Sequence, residues 1–264
     1  MTAATVTDNR RLMRAEWIKL LSLRSSRWTL AALVVVSIGI GVLFSAESAT
    51  HWSHLSPADK ATWDPTNTSL GGTLFGQLAI AVFGVLAITA EYSSGTIRSS
   101  VAASPRRRPM LVAKALVYGG VALVIGEVVS FASYFIGQAI FSGRAPHSQI
   151  GDPGVLRAVA MTGGYVALVC LIALAIGIAL RHTAGAITAI VAILLVLPGV
   201  VVALPTSLEH SIGKFLPEQI ASSSTGAVLA EPHNFSPWLG FGVLVTYAAV
   251  ALGSAFWLFS RRNV

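Results

Sequence analysis

The chain is short of charge. Asp, Glu, Lys and Arg make up 11% of its 264 residues, against about 25% in soluble domains. With 54% hydrophobic residues and a mean hydropathy of +0.72, it cannot cover its apolar surface with charge in water. A polytopic membrane protein is the better reading, and a soluble all-helical protein with an outsized core the poorer one. Cysteine is scarcer still. Cys170 is alone and sits in an apolar run, which excludes an intramolecular disulfide and a Cys-based metal site and predicts a buried spectator. Catalytic signatures are missing too. No G-x-x-x-x-G-K-[ST], H-E-x-x-H, G-x-S-x-G or C-x-x-C occurs. The chain therefore does not cradle ATP in a phosphate loop, and no residue is nominated as catalytic or as a metal ligand.

What is present is long apolar runs. A membrane helix needs about 20 apolar residues to cross about 30 Å of hydrocarbon. Six runs qualify, at about 28–46, 71–90, 111–141, 155–180, 184–204 and 236–259. The third is longer than one crossing requires. A cleaved signal peptide is the weaker reading of the first run, given its 27-residue polar lead-in and long apolar core.

The few charges are sorted. With six spans, the tails and alternate loops share one side. Of the 18 Lys and Arg, only Lys60, Arg144, Arg157 and Lys214 fall on the other. Acids run the opposite way: Asp8, Glu16 and Glu91 lie on the tail side, and seven face them across the spans. Basic residues are retained in the cytoplasm, so both termini are read as cytoplasmic, in a plasma membrane. The pI near 10.1 then reflects topology and anionic lipid headgroups, not nucleic acid. Residues 1–27 form a cytoplasmic tail and residues 28–264 the transmembrane domain. Within the tail, Met13, Trp17, Leu20 and Leu21 share one face at helical spacing. They predict an amphipathic interfacial helix, its pattern blurred by Arg10, Glu16 and Arg24. The fold class is thus all-α integral membrane, six transmembrane helices preceded by an interfacial helix, with both ends inside.

Polar residues inside spans are few. Glu127 is the costliest, at roughly 2.5–3.5 kcal/mol near a bilayer centre. Ser130, Tyr134 and Gln138 follow on the same stripe of the third span. The stripe is either a translocation path or an interhelical hydrogen-bond seam. Thr73 and Gln77 are weaker candidates in the second span. The pairs Gly71-Gly72, Gly119-Gly120 and Gly163-Gly164 are read as helix packing, as is the small-xxx-small match of Gly72 and Gly76. His51 and His54 lack a further ligand nearby. The outer stretch "KFLPEQIASSSTGAVL" is too short to span and predicts a short interfacial or re-entrant helix, while "RHTAG" at 181–185 predicts a tight turn. A single intramembrane acid, and no internal repeat, argue against an ion-coupled secondary transporter.

Two segments carry a family resemblance. "RAEWIKLLSLRSSRWTL" at 14–30 resembles the leading segment of bacterial ABC-2 type transporter permeases. "AEYSSGTIRSSVAASPRRRPMLVAKAL" at 90–116 is similar to the loop those proteins carry between their second and third spans. There an E-Y-x-x-G-T-[IL]-R pattern is followed by a Pro-Arg turn and a lysine. Glu91, Tyr92, Gly95, Thr96, Arg98, Pro105, Arg106 and Lys114 match it. The resemblance implies a permease subunit that pairs with a second permease subunit and with separate ATPase subunits, which bind the ATP and Mg. The chain itself then needs no cofactor. The implied coupling residues are Glu91, Tyr92, Gly95, Thr96, Arg98, Arg106, Arg107 and Arg108. A non-transporting scaffold or signalling protein, or an ion-coupled secondary transporter, is the alternative reading.

Overall fold

The structure is a computed structural model that describes residues 3–96, 107–205, 212–227 and 235–261. It is helical throughout, with no strand among the described residues. Six helices are long and apolar enough to cross a membrane. They match the six runs read from the sequence to within about five residues at each end. In order they are α1 (Ala3–Ser22), α2 (Arg24–His51), α3 (Pro57–Ala61), α4 (Pro65–Leu70), α5 (Thr73–Ser93), α6 (Arg107–Phe141), α7 (Val155–Leu180), α8 (Thr183–Val202), α9 (Pro217–Thr225) and α10 (Pro237–Arg261). The spans are α2, α5, α6, α7, α8 and α10.

α7 is the centre. Of its most apolar window, 72% is buried inside the protein, against 22% for α2, α8 and α10. It packs on α6, α5, α10 and α8, and Leu174, Cys170, Ala173 and Ile178 lie fully inside the core. The outer helices turn Val35, Leu43, Val202, Val250 and Trp257 outward, a pattern that suits lipid and not water. Cys170 is buried as predicted, its thiol against the Tyr118 carbonyl.

Helix boundaries follow local chemistry. Leu23 is extended (φ −81°, ψ 119°) and separates α1 from α2. Asp64 caps α4 by accepting from the Asn67 N–H at 2.9 Å and also accepts from the Ala227 N–H at 2.8 Å. The tight turn at 181–185 is observed. Arg181 ends α7 in the left-handed region (φ 57°), and the His182 side chain caps α8 by accepting from the Gly185 N–H. Within α8 a π-helical segment covers Ala192–Val196. Pro198 follows two residues later; its ring would meet the carbonyl four residues back, and the widened turn relieves that clash. The short helix expected before the last span is also present, as α9. Arg157 donates to the carbonyls of Ser224 (2.6 Å) and Gly226 (2.9 Å) at its end.

α2 packs on α5, α6 and α4 along a stripe of mostly small residues. Leu33, Ser37, Gly41, Ser45 and Ala49 are buried at every fourth position. Gly72 lies against the Ser37 backbone carbonyl, with no room for a Cβ, and Gly76 against the Ser37 hydroxyl. The packing reading of this glycine pair rests on that close approach.

Candidate functional site

Four charged residues converge where α1, the end of α5 and the start of α6 meet. Lys114 is 1% exposed. Its ammonium donates to Glu16 Oε2 at 2.5 Å, Glu91 Oε1 at 2.8 Å and the Ala87 carbonyl at 2.9 Å. An ammonium has three protons, and all three are used. Lys19 donates to Glu16 Oε1 and to Glu91 Oε1, both at 3.0 Å. Two carboxylates thus neutralise two ammoniums. Burial alone disfavours the charge on Lys19, but Glu16 and Glu91 outweigh it and hold its pKa above the ordinary 10.5. A group raised in this way contributes stability that is complete below its unfolded pKa and lost as pH rises through the folded one. Protease protection of α1 should therefore hold up to pH 10.5 and decline only beyond it, as limited digestion across a pH series would read.

The cluster adds a polar contact to α1. Of the apolar face Met13, Trp17, Leu20 and Leu21, Leu20 is buried and Met13 half-buried, whereas Trp17 and Leu21 are exposed beside Ile18. The inward stripe is centred on Glu16 and Leu20, because Lys114 gives Glu16 a buried partner. Glu16 blurred the apolar pattern for this reason. The signal that could have found the cluster is the acid count: only three acids lie on the basic side, and two of them, Glu16 and Glu91, are in it.

The segment after α5 divides into anchored and exposed parts. Glu91 is buried in the cluster. Tyr92 is half-buried, with the Arg181 guanidinium 5.5 Å from its ring centroid, so it ties α5 to the turn before α8. Both side chains pack into the bundle. Gly95 adopts φ +72° just past the helix end, the left-handed conformation that glycine adopts at little cost. Thr96 is exposed and shares a 2.8 Å hydrogen bond with Ser94. Arg98 and Arg106 lie outside the described residues. Arg107 opens α6, and Arg108 one residue on is exposed.

On α6, three of the four stripe residues are engaged internally. Ser130 donates to the Val159 carbonyl at 2.5 Å and Tyr134 to the Ser148 carbonyl at 2.9 Å. Gln138 donates to Ser69 Oγ (2.9 Å) and the Pro65 carbonyl (3.1 Å), and accepts from the Ser148 N–H at 2.8 Å. These are interhelical and helix–loop bonds of a seam. Glu127 differs. It is half-buried over Gly163 of α7, whose missing side chain makes room for it, and it makes no hydrogen bond among the described residues. Near the N-terminus of α5, Tyr165 donates to Gln77 Oε1 and Gln77 donates to the Leu74 carbonyl. No group of three or more potential metal ligands occurs among the described residues. No protein-family model matches the chain, and no curated protein matches it.

Proposed function

We propose that the chain is the membrane subunit of an ABC-type exporter, working in the plasma membrane as a homo- or heterodimer with separate ATPase subunits. Both termini are cytoplasmic in this reading, and α1 lies in the inner interface with Trp17, Ile18 and Leu21 toward lipid. The observation that carries the proposal is the buried cluster at the root of the 94–107 segment. That segment joins α5 to α6 in the chain. Glu91 and Lys114 join the two helices at this point, supported by the Phe83–Tyr118 ring contact at 5.1 Å, and Glu16 adds α1. A pull on the segment would move α1, α5 and α6 together. In the coupling step, ATP-driven closure of the partner pair supplies the pull, and Arg98 with Arg106, Arg107 and Arg108 supplies the contact with partner carboxylates. Glu91 and Tyr92 act as anchors behind that contact. The family resemblance of residues 90–116 and the sorted charges support the same assignment.

The test is co-purification from native membranes with an ATP-hydrolysing subunit, followed by charge reversal at Arg98, Arg106, Arg107 and Arg108. ATP turnover of the complex should fall about tenfold or more, with the chain still folded in the membrane. Normal assembly and turnover without those charges would remove the coupling claim. Partner recruitment without any transport would favour the scaffold, and transport that follows a proton gradient without ATP would favour a secondary transporter.

A further inference from the structure

At the other end of α5 from the ion-pair cluster, an open cleft of about 220 Å³ lies between the end of α2, the start of α5, α7 and α9. Phe44, Leu70 and Leu74 form an apolar wall. Thr73, Gln77, Tyr165 and Glu218 supply the polar side. No Lys or Arg lines it, and the nearby Arg157 is committed to the end of α9.

The polar set is rich in acceptors. The Thr73 hydroxyl is buried with no hydrogen-bond partner among the described residues, and the residue as a whole is only 8% exposed. A buried hydroxyl left unmatched is costly and points to a missing partner. The Tyr165 proton is spent on Gln77, so its oxygen is left to accept. Glu218 makes no hydrogen bond or ion pair among the described residues, and burial raises its pKa above 4.5. A desolvated carboxylate of that kind gains most from a nearby cation.

We propose that this cleft binds a small amphipathic ammonium ion. Its charged head lies at Glu218, Tyr165 and Thr73, and its apolar body rests on Phe44, Leu70 and Leu74. All three groups line the same cleft and no Lys or Arg of the described residues lines it with them, so an ammonium is favoured over a carboxylate, which Glu218 would repel, and over a neutral alcohol, which cannot neutralise Glu218. The volume is below the roughly 300–1,000 Å³ of drug-sized pockets, which limits the ligand to a single ring or short chain. The site stands apart from the exporter reading, because it requires neither ATP nor a partner.

The test uses the full chain in nanodiscs and tritiated 2-phenylethylammonium, with empty nanodiscs subtracted for membrane partitioning. Saturable binding is expected, with 2-phenylethanol competing about tenfold or more weakly, since the charged hydrogen bond is the larger contribution. Glu218→Gln keeps the shape and should weaken binding about tenfold or more, and Thr73→Val should weaken it severalfold. Absence of saturable binding to the parent chain, equal competition by the alcohol, or unchanged affinity in a folded Glu218→Gln chain would each overturn the site. If Glu218→Gln fails to fold, the ratio of amine to alcohol binding on the parent chain decides alone.

Discussion

Lys114→Ala should cost the folded chain about 3–5 kcal/mol, the penalty of breaking a buried ion pair from one side. The substitution leaves Glu16 and Glu91 facing each other in a site where both are nearly excluded from solvent. Lys19 alone would remain to neutralise two carboxylates, and its side chain is 37% exposed. The Ala87 carbonyl would also lose the bond it receives from the ammonium. Two companion variants separate this cause from a simple cavity. Lys19→Ala should cost about 1 kcal/mol or less, as a partly solvated pair. The triple change Glu16→Gln, Glu91→Gln, Lys114→Met removes the three buried charges, leaves the partly exposed Lys19 to solvent, and should recover most of the loss. Reversible unfolding in mixed micelles would read all three. A Lys114→Ala chain within about 1 kcal/mol of the parent, on the scale of a solvated pair, would show that the cluster is not truly desolvated. Because Cys170 is buried, a single cysteine placed at Arg14 gives a clean labelling readout. Its accessibility should rise in the Lys114→Ala chain as α1 comes loose.

The second large effect is expected at the α2–α5 seam. Gly72→Ala should destabilise the bundle by about 1–3 kcal/mol or more, the usual cost of overpacking. The new Cβ would overlap the Ser37 carbonyl, the Gly41 nitrogen and the Ser37 carbonyl carbon, all backbone atoms. Backbone cannot step aside by changing rotamer, so the helices must separate. Gly76→Ala meets the Ser37 hydroxyl first, and its next contacts, Ser37 Cβ and a Leu33 methyl, lie beyond 3.0 Å. A rotamer change relieves most of that clash, and the cost should be smaller. Gly120→Ala and Gly242→Ala meet nothing within 4 Å and should behave as the parent. Thermal unfolding of the four variants in one detergent should rank Gly72 as the worst. A Gly72→Ala chain as stable as Gly120→Ala would mean that α2 and α5 do not approach so closely.

Much of the fold was legible in sequence because length and hydropathy act locally. A run of 20 apolar residues cannot be left in water, and helix is the form that satisfies its backbone in lipid. The run boundaries accordingly agree with the helices, as do the turn at Arg181–His182, the short helix Pro217–Thr225 and the burial of Cys170. The buried place of Glu16 on α1 was not legible, because periodicity counts apolar residues and treats Glu16 as a blur. Its partner lies 98 residues away, and nothing local announces it. The α6 stripe posed a choice that spacing could not make. Gln138 finds Ser69, Pro65 and Ser148 through the α4 region and the loop before α7, contacts that exist only once the helices are assembled. The residues that the resemblance implies for coupling were singled out as one group, whereas the fold places Glu91 buried, Tyr92 half-buried and Thr96 and Arg108 exposed.

By itself, the sequence determined that this is a chain of six apolar helices, with its basic residues sorted to one side and no phosphate loop of its own. These are properties of composition and order, and they follow from the cost of placing charge or bare backbone in hydrocarbon. Only the tertiary structure decided which scarce polar groups meet. It brought Glu16, Lys19, Glu91 and Lys114 into one neutral buried cluster, set Gly72 against the Ser37 carbonyl, and left Thr73, Tyr165 and Glu218 around a common cleft. The physical reason is the same in each case. In an apolar bundle the charged and amide groups of these clusters find partners on other helices, and which helices touch is fixed by packing the whole chain.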